Sequence, residues 1–184
     1  MDENYREVTY SKTTLNELMV PAYANFGGKI HGGILLSLMD KIAYACASKH
    51  AGNYCVTVAV ENVEFLEPVE VGEMVNMFAS VNYVGQTSMV VGIKVIAEDF
   101  RLGTVKHTNT SYFTMVAKDE KGQPTKVPGL ILESKEEVKR FLEAIKRKDL
   151  KASYKKELQK ARISLLINEE NTLLKGERCL LKLK

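Results

Sequence analysis

Asp40 is the residue around which a chemistry can be assembled. It follows Gly33 by seven residues, close to two turns of the helix predicted from Gly33 to His50. Its carboxylate therefore shares a face with the backbone amides that open the helix. Those amides are donors at the positive end of the helix dipole, and Gly32 and Gly33 permit close approach to them. An oxygen that gains negative charge would be stabilised there. Asn25, on the loop just before the glycines, adds an amide able to orient a water or a carbonyl. A carboxylate, an amide side chain and a helix N-terminus together suit the addition of water to a carbonyl. The same residues admit plainer roles: Asp40 can pair with Lys41 or His31 or bond a backbone group, and Asn-x-Gly-Gly is ordinary turn chemistry.

The element that must position Asp40 is an unusually greasy one. Ile34, Leu35, Leu36, Leu38, Met39, Ile42, Ala43, Tyr44, Ala45, Cys46 and Ala47 occupy nearly every angle of the helix, and a helix apolar all round is a buried one. An ionised carboxylate inside it would cost several kcal/mol, to order of magnitude, unless compensated or used. Ala51-Gly52-Asn53 ends the helix.

Strand patterns surround it. Residues 8 to 20 read as a first strand, stopped at Pro21, which has no N–H to donate to a ladder. In residues 54 to 68, Val56, Val58 and Val60 fall on one face and Thr57, Ala59, Glu61, Val63 and Phe65 on the other. A strand so apolar on both faces is expected inside its sheet, or else paired with a second chain. Further strands are expected at about 74 to 83, 87 to 97 and 104 to 118, joined by the turns Val84-Gly85-Gln86 and EDFRLG. The order, strand, long helix, then four strands linked by short connections, is an α+β arrangement with an antiparallel sheet of about five strands around one central helix.

After Pro128 the composition changes. Ser134 and Glu137 form a capping box, Val138, Phe141, Leu142 and Ile145 follow at helical spacing, and a second helical stretch is expected from about Tyr154 to Leu166. We therefore divide the chain into a domain at residues 1 to 130 and a basic helical C-terminal extension at 131 to 184. Residues 134 to 184 carry 15 of the 26 basic and 8 of the 23 acidic residues, so the net +3 hides a basic tail on a mildly acidic body. That charge suits a solvated helical face, the phosphates of a nucleotide-bearing ligand, or an oligomer contact. Nucleic acid is not expected, because the tail offers only Phe141 and Tyr154 for stacking.

A chain of 184 residues with 45% hydrophobic content can bury a sizeable core. It contains no run of about eighteen apolar residues, and its polar N-terminus lacks the basic-then-apolar pattern of a leader, so a cytoplasmic location and no membrane span are expected. Cys46, Cys55 and Cys179 have no knuckle or redox spacing, and His31, His50 and His107 are scattered, so no metal is expected. The Gly-x-Ser-x-Gly elbow, the Walker loop and the dinucleotide fingerprint are all missing.

Several pieces recur together in order: Pro21, Ala24-Asn25, Gly28-x-x-His31-Gly32-Gly33, Leu36, Met39-Asp40, Ala43 and His50, then VTVAVENVEFLEPVEVGE at 56 to 73, YVGQTSM at 83 to 89 and GQPTKVP at 122 to 128. In these, over about residues 8 to 130, the chain resembles the hot-dog-fold acyl-CoA thioesterases of the brain-type and YciA-like group. The resemblance implies hydrolysis of acyl-CoA to a fatty acid and coenzyme A, with coenzyme A as part of the substrate and no separate cofactor. It implies Asn25 and Asp40 as the catalytic pair, contributed by different copies at a dimer interface. It further implies contact with the CoA moiety at the turn Gly85-Gln86-Thr87-Ser88, and assembly as a homodimer at least, with a trimer of dimers as first expectation. A thioester fits the residues, since a thiolate (free thiol pKa around 8.5) leaves with little help from an acid. Asp40 is then general base or nucleophile, Asn25 places water or substrate, and the Gly33 amide, with Gly32, is the oxyanion donor. His31 is a turn or supporting residue at the substrate site. Two other functions remain open: a non-catalytic hot-dog module that binds acyl-CoA or a lipid as a regulator, and a dehydratase, for which a histidine-based site would be expected. Phe26-Gly27 departs from the more polar pairs of related sequences.

Overall fold

A computed structural model describes residues 4–164, 174, 176–180 and 182. The elements are β1 (Tyr5–Glu7), α1 (Val8–Ser11), β2 (Thr13–Leu18), a 3-10 turn (Pro21–Tyr23), α2 (Gly32–Ala51), β3 (Tyr54–Val60), β4 (Met74–Val84), β5 (Ser88–Asp99), β6 (Thr104–Lys118), β7 (Gly129–Ile131) and α3 (Lys135–Ser164). Five strands form an antiparallel sheet in the order β2-β4-β5-β6-β3, and β1 pairs in parallel with β7 in a separate two-stranded sheet. The α+β arrangement of one long helix on a five-stranded sheet is the expected one.

Chain contacts divide the protein into two compact units, one ending at Ala144 and the other beginning at Ile145. In the first, α2 lays one face on the sheet. Leu35, Leu38, Met39, Ile42, Ala43, Cys46 and Ala47 are buried there against Val75, Met77, Val81, Met89, Val91, Ile93, Phe113 and Met115. Unbranched, polarisable methionines at 19, 39, 77, 89 and 115 fill the irregular gap between a cylinder and a curved sheet.

The other face of α2 corrects the expectation of a helix buried all round. Leu36, Asp40, Lys41, Tyr44 and Ala45 are exposed in the single chain. One side of α2 meets the core, and on the far side Leu36 and Ala45 stay exposed while Asp40 and Tyr44 reach only the start of β3. Asp40 therefore pays no burial penalty here. The first strand also differs from expectation: Val8–Ser11 is a single helical turn, with Val8 and Ser11 three residues apart and both buried, and the sheet strand starts only at Thr13. The two helical stretches after Pro128 are one continuous helix, α3, with nothing between 145 and 154 to break it. The expected end of the second stretch, Leu165 and Leu166, lies outside the described residues. The Ser134 cap forms as read: its hydroxyl accepts from the Glu137 N–H at 3.2 Å, while the Glu137 carboxylate takes the Glu133 N–H at 2.8 Å. The second unit contains the rest of α3, exposed at Leu150, Tyr154 and Leu158. No helix among the described residues is long and apolar enough to cross a membrane.

The C-terminus of α2 is fastened from three sides. Gly52 closes it at φ 72°, in the left-handed region, and its N–H bonds the Ser48 carbonyl. Arg6 donates to the carbonyls of Lys49 and His50 at 2.9 and 2.6 Å, placing a cation at the negative end of the dipole. The buried His50 ring meets the Pro128 carbonyl through Nε2 at 3.0 Å, which fixes the proton on Nε2 and leaves Nδ1 bare. Burial, and secondarily the Arg6 charge, push the His50 pKa below its ordinary 6.5, although the Pro128 carbonyl opposes the shift.

Because the unfolded chain takes up this proton at higher pH than the folded one, stability falls as pH drops through about 6.5 and levels off below the folded-state pKa. In urea titrations between about pH 8 and pH 5, His50→Gln is expected to flatten that dependence; an unchanged slope would remove His50 as its source.

Candidate active site

Asp40 and Thr57 meet where α2 runs alongside β3. The Thr57 hydroxyl donates to Asp40 Oδ1 at 2.6 Å and also lies 3.3 Å from Met115 Sδ. Among the described residues no hydrogen bond reaches Asp40 Oδ2. The carboxylate is thus held by one oxygen and presents the other. A β-bulge at Val58 adds an extra residue between the pairs Thr57↔Met115 and Ala59↔Thr114, which turns the strand locally at the site. A cavity of about 320 Å³ opens beside the pair, lined by Asp40, Lys41, Tyr44, Tyr54, Cys55, Val56 and Thr57. The strand that carries Thr57 lies at the sheet edge, against the first of the two expectations for it, and among the described strands it pairs with β6 alone. Its other edge has no partner among the described residues, and Tyr54, Val58 and Val60 are exposed on this strand.

The remaining residues singled out in the sequence lie outside this cavity. Asn25 Oδ1 accepts from the N–H groups of Gly27 and Lys29 at 2.9 and 3.2 Å, a turn role within its own loop. His31 is the N-cap of α2, and its Nδ1 accepts the Gly33 N–H at 2.8 Å. That amide is therefore engaged, and it can serve an oxyanion only when the ring moves away. The glycines make room for neighbouring rings: a Cβ on Gly32 would come within 3.3 Å of Phe65, and one on Gly33 within 2.9 Å of His31. The turn with Gly85, Thr87 and Ser88 is tied into the sheet by Gly85 N–H to the Ser88 carbonyl at 2.7 Å and Ala117 N–H to the Thr87 carbonyl at 3.0 Å. A further cavity of about 340 Å³, lined in part by Lys12, Ser80, Asn82, Tyr112 and Arg140, contains none of the residues singled out. No group of three or more His, Cys, Asp or Glu side chains suited to a metal occurs among the described residues.

Thr57 was not anticipated. In the sequence it is one more β-branched residue in a strand of valines, and only its opposition to Asp40 across the helix–strand contact sets it apart.

Comparison with known proteins bears on this geometry. The thioesterase superfamily profile matches residues 27–104. Protein VdlD of Helicobacter pylori is 43% identical over 141 residues, which is 77% of this chain and 80% of that protein. A hexameric acyl-CoA thioesterase, solved in its apo form, superposes at TM-score 0.79 with 33% identity, over 82% of this chain and 96% of that one. The acyl-CoA hydrolase of Staphylococcus aureus, solved with butyryl coenzyme A, coenzyme A and coenzyme A disulfide, gives TM-score 0.77 and 30% identity over 88% of this chain and 99% of its own. Alanine variants of that hydrolase have been solved at an asparagine, an aspartate and a threonine. The spacing between those three positions equals that between Asn25, Asp40 and Thr57.

The cap geometry is directly testable. His31→Ala is expected to lower stability by about 1 kcal/mol, the usual cost of losing an N-cap acceptor, and His31→Asp to recover most of it. Equal chemical denaturation midpoints for the parent and the alanine variant would show that the ring contributes nothing as a cap.

Proposed function

The chain belongs to the thioesterase superfamily, and on that footing we propose that it hydrolyses acyl-CoA thioesters with Asp40 as the reacting carboxylate. The observation that carries this reading is the Asp40–Thr57 pair, with one carboxylate oxygen bound at 2.6 Å, on the wall of a cavity that both residues line. The matching spacing of the three altered positions in the staphylococcal hydrolase supports it.

Thr57 is a positioning residue: it anchors Oδ1 so that Oδ2 points at the bound thioester. As general base, Asp40 takes a proton from water as the water oxygen bonds to the carbonyl carbon. The C–S bond then breaks, and the proton passes to the departing thiolate, giving a carboxylic acid and coenzyme A. As nucleophile, a carboxylate oxygen of Asp40 bonds to the carbonyl carbon, the C–S bond breaks to release the thiolate, and water cleaves the mixed anhydride, restoring the Asp40 carboxylate and giving the carboxylic acid and, with the remaining proton, coenzyme A. Both routes need donors for the carbonyl oxygen. Gly33 lies outside the Asp40 cavity of its own chain, so the N-terminus of α2 that offers them is the one that a second copy brings with its Asn25, once His31 there releases the amide. Asn25 is the amide that places water or substrate, and the turn at Gly85, Thr87 and Ser88, with His31 and Gly32, contacts the rest of the substrate.

Asn25 lies outside the Asp40 cavity of its own chain, and β3 presents an apolar edge with no partner among the described residues. Both features support a site completed by a second copy pairing along β3, with Asn25 supplied from that copy. The hexameric relative makes a trimer of such dimers the first assembly to test. Free thiols at Cys46, Cys55 and Cys179 accord with a reducing compartment.

Thiol release from butyryl-CoA is the assay. Asp40→Asn is expected to lower kcat by at least about a hundredfold while acyl-CoA still binds, and Thr57→Val, which keeps the shape and removes the donor, by about tenfold. Full turnover in Asp40→Asn would remove Asp40 from the mechanism.

A further inference from the structure

The cavity beside Asp40 has two distinguishable ends. Helix α2 and strand β3 are joined by a short link after Ala51, so they run past each other in opposite directions. Asp40 stands level with Thr57, which it bonds, and Tyr44 stands level with Tyr54, whose ring centroid is 6.0 Å from its own at an interplanar angle of 58°. Tyr44 follows Asp40 by one helical turn, an advance of about 6 Å at the usual rise per residue. All four side chains line the same space, with the buried Cys55 and the half-buried Val56 between them. The result is a trough with an acid and its hydroxyl partner at one end and a pair of tilted aromatic rings at the other.

The rings are not demanded by the core. Tyr44 is 43% exposed and Tyr54 60% exposed, and Tyr44 is flanked on the helix by Ala43, Ala45 and Ala47. Packing of α2 on the sheet would tolerate a small residue at either position, so the large rings are left available to whatever occupies the trough. We infer that Tyr44 and Tyr54 form an end wall that restricts this chain to short acyl groups. This rests on the proposed hydrolysis, since it places the thioester carbonyl at Asp40 and Thr57. From there an acyl chain directed along α2 has about one helical turn of space, enough for a few methylenes, before it meets the rings. A longer chain must separate the ring pair to enter, and each methylene refused contact is lost from transition-state binding.

The test compares kcat/KM for dodecanoyl-CoA and butyryl-CoA in the full chain, with melting temperature and solution mass followed for each variant. The parent protein is expected to favour butyryl-CoA. Tyr44→Ala should raise the ratio of dodecanoyl to butyryl activity by at least about tenfold, and Tyr54→Ala should move it the same way. Tyr44→Phe keeps the ring and should keep the ratio, which separates loss of the wall from loss of fold or assembly. A parent that prefers dodecanoyl-CoA, or a ratio unmoved in both alanine variants while thiol is still released, overturns the end wall and leaves hydrolysis standing. No thiol release from either substrate by the parent would overturn hydrolysis, and the wall with it.

Discussion

The structure turns on the one-sided burial of α2. A helix against a curved sheet can give only one face to the core, and here that face carries the methionines and branched aliphatics. The opposite face carries Asp40, beside the sheet-edge strand β3, whose outer side pairs with no strand among the described residues. The Asp40–Thr57 hydrogen bond joins these two incomplete surfaces. In the isolated chain the carboxylate is exposed, where water screens its field; two unit charges 4 Å apart interact about four times more strongly at an effective dielectric of 20 than in bulk water. The chemistry assigned to Asp40 therefore gains most once another surface displaces that water.

The rest of the first unit holds this junction in place. Arg6 and His50 lock the far end of α2 to the segment at Pro128, while Gly52 reverses the chain so that β3 returns along the helix it has just left. The order of residues along α2 is thereby mirrored along β3, and this brings residues seventeen positions apart in sequence, Asp40 and Thr57, into contact. At the near end the His31 cap occupies the Gly33 amide, so the electropositive tip of the helix is guarded by a ring that a substrate would have to displace.

Much of this was legible in the residues. The hairpins follow from turn chemistry at 84 to 86 and 98 to 103, the helix start from two glycines, and the α3 cap from Ser134 and Glu137. The side of α2 that meets the sheet was not legible, because alanines and leucines on the outward face look the same as those on the inward face. A chain that keeps apolar residues for a surface formed only on assembly reads as buried all round. Thr57 was illegible for a related reason: a threonine in a β-branched strand satisfies local propensity, and only its long-range register against α2 gives it a partner. The helical turn at Val8–Ser11 escaped notice because Val and Thr favour strands locally, and tertiary burial of Val8 and Ser11 overrides that preference.

The central claim, that Asp40 works with an Asn25 belonging to another copy, can be tested by mixing. Asp40→Asn and Asn25→Ala proteins, each inactive alone, are denatured together and refolded so that mixed dimers form. Each mixed dimer then contains one site with both groups intact, and the account predicts thiol release from butyryl-CoA well above that of either parent variant. Refolded mixed dimers with no recovered activity would contradict it.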